Sequence, residues 1–195
     1  MNIIVKIYNS DLCVCRPDTS WERENKDLYM PDEMGGYHFS PIVFARISKA
    51  GKRIGTKFAE RYYDGIGYGA LLYDSDLIGV SSAGFAAASC EDHTSIIPFP
   101  LYNPITLGGD NRFELKMDGK TVFETGTEGA KEALEDAICK ASAKVSLRIG
   151  DIVAVELDAP TNLISRKETD TEGCESHKLE GVYCENSTFD FNIIL

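Results

Sequence analysis

Residues 42–77 read IVFARISKAGKRIGTKFAERYYDGIGYGALLYDSDL, and this stretch decides the fold. Ile42 to Ile47 is apolar and β-branched at both ends, as a strand is. Lys49 to Lys52 turns the chain through Gly51. Gly65 to Tyr73 reads as a second strand, and its glycines at 65, 67 and 69 let neighbouring backbone pack closely.

Working outward, Arg112 to Met117 and Lys120 to Glu124 flank Asp118-Gly119. This is the strongest hairpin signal in the chain, because both turn positions favour positive φ. The main helix is predicted over Glu128 to Ala143, where Ala130, Leu134, Ala137, Ile138 and Ala141 recur on one face. Thr127 is its candidate N-cap, and Lys140 and Lys144 suit the negative end of its dipole. Further strands are expected at Asn2 to Tyr8, Leu12 to Cys15, Ile152 to Leu157 and Phe189 to Leu195. Residues 19–36 and 165–180 read as surface loops. Ser81 to Ser89, rich in Gly, Ala and Ser, carries no decisive signal. The sum is a mostly β (α+β) chain with one main helix. A length of 195 residues suits a single domain over 1–195.

A formal net charge of −11, with no Lys/Arg stripe to interrupt it, makes nucleic acid and anionic membranes poor partners. The opening MNIIVKIY is too short and too alternating for a secretory signal, and no apolar run is long enough to span a bilayer. A cytoplasmic location is expected. The cysteines at 13, 15, 90, 139, 174 and 184 are then expected as free thiols, with Cys13 and Cys15 on one side of a strand.

Several stretches, in order, resemble the fumarylacetoacetate hydrolase family. Phe44-Ala45-Arg46-Ile47 with Gly51-Lys52 resembles the segment V-V-R-I-x-x-x-G-K, and Phe58 to Asp64 resembles A-x-x-Y-Y-D. Gly69 to Leu77 sits where members carry G-x-D-x-x-x-R-D-L. Gly84-Phe85, Asp118-Gly119-Lys120, the helix, and Leu147 to Asp151 follow in family order, so the match runs over about 37–158. Cys15-Arg16-Pro17-Asp18 is similar to an early K-P-x-x step. The resemblance implies a β roll or sandwich, usually dimeric. It also implies cleavage, decarboxylation or isomerisation of acylpyruvate-like keto acids. In such chemistry Mg²⁺ or Ca²⁺, held by carboxylates, stabilises the enolate.

Residue by residue, the resemblance also implies a loss. The E-x-E metal ligands fall on Ser40 and Ile42, and the third ligand, an Asp, falls on Leu71. The motif's Arg is Ser75, while its last Asp survives as Asp76. The following Gln is Ile78, and the Lys before Gly-Phe is Ala83. The G-T-P-x-G-V-G loop is replaced by residues 157–161, LDAPT, and the early water-activating His and Glu have no counterpart. The expectation is therefore a vestigial pocket of Ser40, Ile42, Leu71, Ser75, Asp76 and Ala83, with no catalytic residue, metal or cofactor. The protein would act by binding or oligomerisation, as a homodimer or a mixed dimer with an active relative.

Two other function classes stay open. One is a divergent enzyme with a rebuilt site using Asp74, Asp76 or Glu91. The other is a metal-handling or redox role through Cys174, His177 and Cys184, with Cys90 or His93, although the spacing matches no common zinc module. Against these, Asp76 reads as binding a backbone amide, with Asp74 solvated. Glu91-Asp92-His93 reads as an exposed polar turn, His38 as a partly buried strand residue, and the late cysteines as surface thiols. Gly126-Thr127-Glu128 lacks the pattern of a phosphate loop.

Overall fold

A computed structural model describes residues 1–166 and 175–195. In chain order the strands open with β1 (Ile3–Lys6), β2 (Cys13–Arg16), β3 (Trp21–Glu22), β4 (Leu28–Tyr29), β5 (Gly36–Ile47) and β6 (Tyr63–Asp74). Helix α1 (Ser82–Ala88) is followed by β7 (Ser95–Ile96), β8 (Arg112–Met117), β9 (Lys120–Gly126) and helix α2 (Ala130–Lys144). The chain closes with β10 (Ile152–Glu156), β11 (Thr161–Ser165), β12 (Ser176–Tyr183) and β13 (Asn186–Ile194).

The fold is mostly β, with a curled half-barrel sheet. Its order is β2-β1-β10-β5-β6-β7-β3, with β11 also paired to β5. A second sheet runs β4-β13-β12-β8-β9. The long β5–β6 pair is the spine of the larger sheet, as residues 42–73 imply, but both strands extend beyond the apolar runs.

Alternation sorts the larger sheet into two faces. Val43, Ala45, Ile66, Tyr68, Ala70, Leu72 and Val153 share one core with the second sheet and with Leu134, Ala137, Ile138 and Ala141 of α2. Ile42, Phe44, Leu71, Tyr73, Ile3, Val5, Ile152 and Ala154 form a separate core on the other face. Phe85 and Ala88 of α1, with Ile97, Leu77 and Ile78, cover it. At the β8–β9 turn Asp118 and Gly119 take φ of 50° and 75°, the conformation that Asp-Gly signalled.

Four expectations are corrected. Residues 19–36 are not all loop: β3 pairs with β7 and β4 with β13. Residues 165–180 are not all loop: β12 begins at Ser176 and pairs with β13 and β8. Its inward positions Leu179, Gly181 and Tyr183 alternate, but Gly181 hides the pattern because the Phe189 ring fills its side-chain space. Thr127 does not cap α2. Its hydroxyl donates to Gly109 O at 2.6 Å, and Gly129, at φ 73°, precedes the helix. Asp74 is not solvated. It is 9% exposed and accepts the Asp76 amide at 2.7 Å, closing a turn at the end of β6. The undecided stretch after residue 80 holds α1, whose Ser81 cap accepts the Gly84 amide at 3.0 Å. Among the described residues, no helix is long and apolar enough to cross a membrane.

Candidate functional site

Positions two apart on a strand share a face, and the register of β5 against its neighbours decides what meets there. Ser40 lies directly opposite Leu71 on β6, and Ile42 lies opposite Glu156 on β10. Ser40, Ile42 and Leu71 therefore come together, and each has no exposed surface. The Ser40 hydroxyl donates to Asp158 O at 2.7 Å. Ser75 and Asp76 sit just past the end of β6, and Ala83 is exposed on α1. Asp76 accepts the Gly35 amide at 2.8 Å, the backbone role expected of it.

The face also carries three residues that the sequence reading missed as a group. Glu156 is 3% exposed and ends β10, on the same side as Ile152 and Ala154. One of its oxygens accepts the Tyr73 hydroxyl and the other accepts the Tyr8 amide at 2.9 Å. Burial pushes its carboxyl above the ordinary glutamate value, while those hydrogen bonds and the Arg16 charge pull it back. Tyr73 is likewise raised, first by burial and then by the Glu156 charge. Arg16, at the end of β2, is 2% exposed. Its guanidinium lies 4.8 Å over the Tyr73 ring and donates to Leu72 O at 2.9 Å and Thr94 Oγ1 at 2.7 Å. Its Nε and Nη1 have no hydrogen-bond partner among the described residues.

The only local hint of this trio is a charged residue ending each of two apolar runs: Glu156 after Ile152 to Val155, and Arg16 after Cys13 to Cys15. A cavity of about 660 Å³ opens at Glu156 and is lined by Lys6, Tyr8 and Asn9 to Asp11. A second, mostly apolar cavity of about 660 Å³ lies between β2 and α1, against Val14, Cys15, Phe85 and Cys90.

Solved structures share this fold. Fumarylpyruvate hydrolase from Pseudomonas aeruginosa, in complex with Mn²⁺ and pyruvate, superposes with TM-score 0.79. That match covers 100% of this chain and 90% of the other at 17% identity. A protein assigned to the fumarylacetoacetate hydrolase family, from Yersinia pestis CO92, gives 0.79 at 17% identity over 99% and 92% of the two chains. The fold is that of the fumarylacetoacetate hydrolase family. The 5-carboxymethyl-2-hydroxymuconate delta-isomerase from Mycobacterium smegmatis shares it too, at TM-score 0.79 and 12% identity over 99% and 78%. No family model and no curated protein matches the sequence.

On the fumarylacetoacetate hydrolase fold, the donors at the expected metal position are one hydroxyl and two aliphatic side chains. Mg²⁺ and Mn²⁺ call for several oxygen ligands, including carboxylates. The nearest carboxylate, Glu156, is already held by Tyr73 and the Tyr8 amide and faces a buried guanidinium. The residues present do not fit the ion. Among the described residues, no three His, Cys, Asp or Glu side chains are placed to hold a metal.

The other candidates scatter. Asp74 and Asp76 bond backbone amides. Glu91-Asp92-His93 does form a turn, but His93 Nδ1 lies 3.1 Å from the buried Glu22 carboxylate, a partner distant in sequence. Cys174 lies outside the described residues. His177 pairs with Asp118 at 2.7 Å, near one end of β12, and Cys184 lies past the other end, about 20 Å along the strand. The cysteines at 13, 15, 90, 139 and 184 are free thiols.

Proposed function

We propose that this chain is a binding or oligomerisation protein on the fumarylacetoacetate hydrolase fold, without the metal-dependent chemistry that the resemblance implies. One observation carries the reading. Ser40, Ile42 and Leu71 meet on one buried face, inside an apolar core next to an Arg16–Tyr73–Glu156 network. A divalent cation placed there loses its water for at most one carboxylate, Glu156, which Tyr73 and the Tyr8 amide already hold, and it meets a guanidinium of its own sign.

Titration calorimetry with Mg²⁺, Mn²⁺ and Ca²⁺ is expected to give no single-site heat. Acylpyruvates and oxaloacetate with Mn²⁺ are expected to turn over at the blank rate. A one-to-one isotherm lost in Glu156→Gln, with the fold retained by circular dichroism, would place a metal in this pocket and end the reading.

One observation favours a second reading, a rebuilt keto-acid enzyme. A buried carboxyl raised in pKa, hydrogen-bonded to a tyrosine and bordering a cavity, is the material of a general base. Metal-free turnover of any member of that substrate panel, lost in Glu156→Gln, would establish it.

The protein is also proposed to be a dimer, with itself or with an active relative. Leu12 lines the apolar cavity beside α1, and Val80 follows Gly79 at its rim; both are exposed and together make an apolar face. Sedimentation at micromolar concentration is expected to give twice the 21.5 kDa chain mass. A clean monomer that also leaves the relative unbound would overturn this.

A further inference from the structure

The net charge of −11 averages over an uneven surface. Residues 48–62 carry Lys49, Lys52, Arg53, Lys57 and Arg61 against one acid, Glu60. Residues 144–150 add Lys144 and Arg148 and no acid. Backbone pairing brings the two stretches together at one end of the molecule. The Gly51 amide donates to Leu147 O at 3.1 Å, and the Leu147 amide donates back to Gly51 O at 2.8 Å. The Arg53 amide donates to Ser142 O and the Gly150 amide to Ile47 O, both at 2.8 Å. The 3₁₀ turn over Thr56–Arg61 closes onto the same place, where the Ser48 amide donates to Tyr62 O at 2.8 Å. All seven cations are exposed, and none has an ion pair or a side-chain hydrogen bond among the described residues. The acids nearest in sequence are occupied. Glu60 holds Lys131 at 3.4 Å, Asp64 holds Arg46 at 2.9 Å, and the buried Asp151 accepts the Asn2 and Arg148 amides. This end is therefore strongly positive on an acidic chain, against the expectation that the average charge gave.

A second observation is independent of the charges. Two large apolar side chains stand among them in water: Phe58 is 51% exposed and Ile149 72%. Neither belongs to either core. The Arg61 guanidinium lies 5.4 Å over the Phe58 ring. Cations set around exposed aromatic and aliphatic side chains match the surface of an anionic bilayer. The charged groups meet lipid headgroups while the apolar ones enter the acyl boundary. Nucleic acid fits less well, because phosphates take up the cations but leave Ile149 without an apolar partner. The acidic remainder of the surface does not forbid the contact, since charges beyond about 8–10 Å are screened at physiological salt.

We propose that this end of the molecule docks on an anionic lipid surface, with Phe58 and Ile149 inserted and the seven cations against the headgroups. The docking surface is separate from the buried sheet face and does not depend on how that face functions.

Co-sedimentation of the full chain with vesicles tests it. Vesicles of equal parts phosphatidylserine and phosphatidylcholine are expected to bind the protein, and vesicles of phosphatidylcholine alone are not. Raising the salt is expected to weaken the binding. Lys52→Gln, Lys57→Gln and Arg148→Gln together are expected to weaken it about a hundredfold at an unchanged melting temperature, because these side chains have no partner to lose. Phe58→Ser with Ile149→Ser is expected to weaken it about tenfold while leaving its salt dependence in place. Arg112→Gln, Lys120→Gln and Lys178→Gln, which remove equal charge from the second sheet, are expected to leave it unchanged. The proposal is overturned if the anionic vesicles do not bind the protein at low salt, or if the second-sheet variant weakens binding equally. It is also overturned if the apolar pair has no effect, or if a DNA duplex is bound more tightly than the vesicles.

Discussion

Arg16→Met is expected to destabilise the protein by about 3 kcal/mol or more at neutral pH. The side chain is 2% exposed, and its Nη2 serves both Leu72 O and Thr94 Oγ1. Methionine fills much of the volume but leaves both acceptors unmatched and removes the cation over the Tyr73 ring. It also removes the positive charge that pulls the Glu156 carboxyl down. That last loss depends on pH, and its sign follows from linkage. Glu156 is raised in the folded state, so it favours folding below the ordinary value of 4.5 and costs stability as pH climbs through its folded value. Without Arg16 the carboxyl rises further. The deficit of the variant should therefore be smallest in mild acid and grow toward neutrality. Urea unfolding of both proteins at about pH 5 and pH 7.5 measures this, and adding Glu156→Gln should recover part of the deficit at the higher pH. A deficit identical at both pH values would mean that Arg16 acts only through packing and its two neutral acceptors.

This network also marks how far the sequence can be read. The β5–β6 pair, the Asp118-Gly119 hairpin and α2 are local patterns, and each is found where its own residues put it. So is the meeting of Ser40, Ile42 and Leu71, which needs only period-two alternation and one register. Two elements were hidden by small residues. In β12, Gly181 erases an apolar position that Phe189 fills from the next strand. In α1, Ala, Gly and Ser give no amphipathic stripe to a helix of seven residues. The Arg16–Tyr73–Glu156 trio was illegible for a different reason. Its members come from β2, β6 and β10, and Tyr73 and Glu156 are 83 residues apart in sequence. The β1–β2 and β1–β10 registers set Arg16 level with Ile152, not with Glu156, and it is the curl of the sheet that carries Arg16 across to Tyr73 on β6.

Placing a carboxylate at Ile42, which the resemblance aligns with a metal ligand, is expected to have the largest effect of all. Ile42 has no exposed surface and lies directly opposite Glu156 across the β5–β10 pair. Ile42→Glu therefore removes a buried aliphatic side chain and sets a second carboxyl against a first. The transfer loss alone is about 1.5–3 kcal/mol. An unpaired buried carboxylate adds several kcal/mol more, unless it protonates. Together these approach the whole stability of about 5–15 kcal/mol typical of a domain. The variant should be largely unfolded at neutral pH and regain structure in mild acid, where both carboxyls take up protons. Glu156→Gln should rescue it in part at neutral pH, because it removes the like charge while Tyr73 still has an acceptor. Circular dichroism across pH on the single and double variants distinguishes the causes. Rescue by acid and by Glu156→Gln identifies repulsion between the two carboxyls. Failure of both leaves only the lost packing of Ile42 against Phe44 and Leu71, and removes Glu156 from the argument. Folding of Ile42→Glu at neutral pH only when millimolar Mn²⁺ is added would mean that this position still accepts a metal, against the reading proposed for the chain.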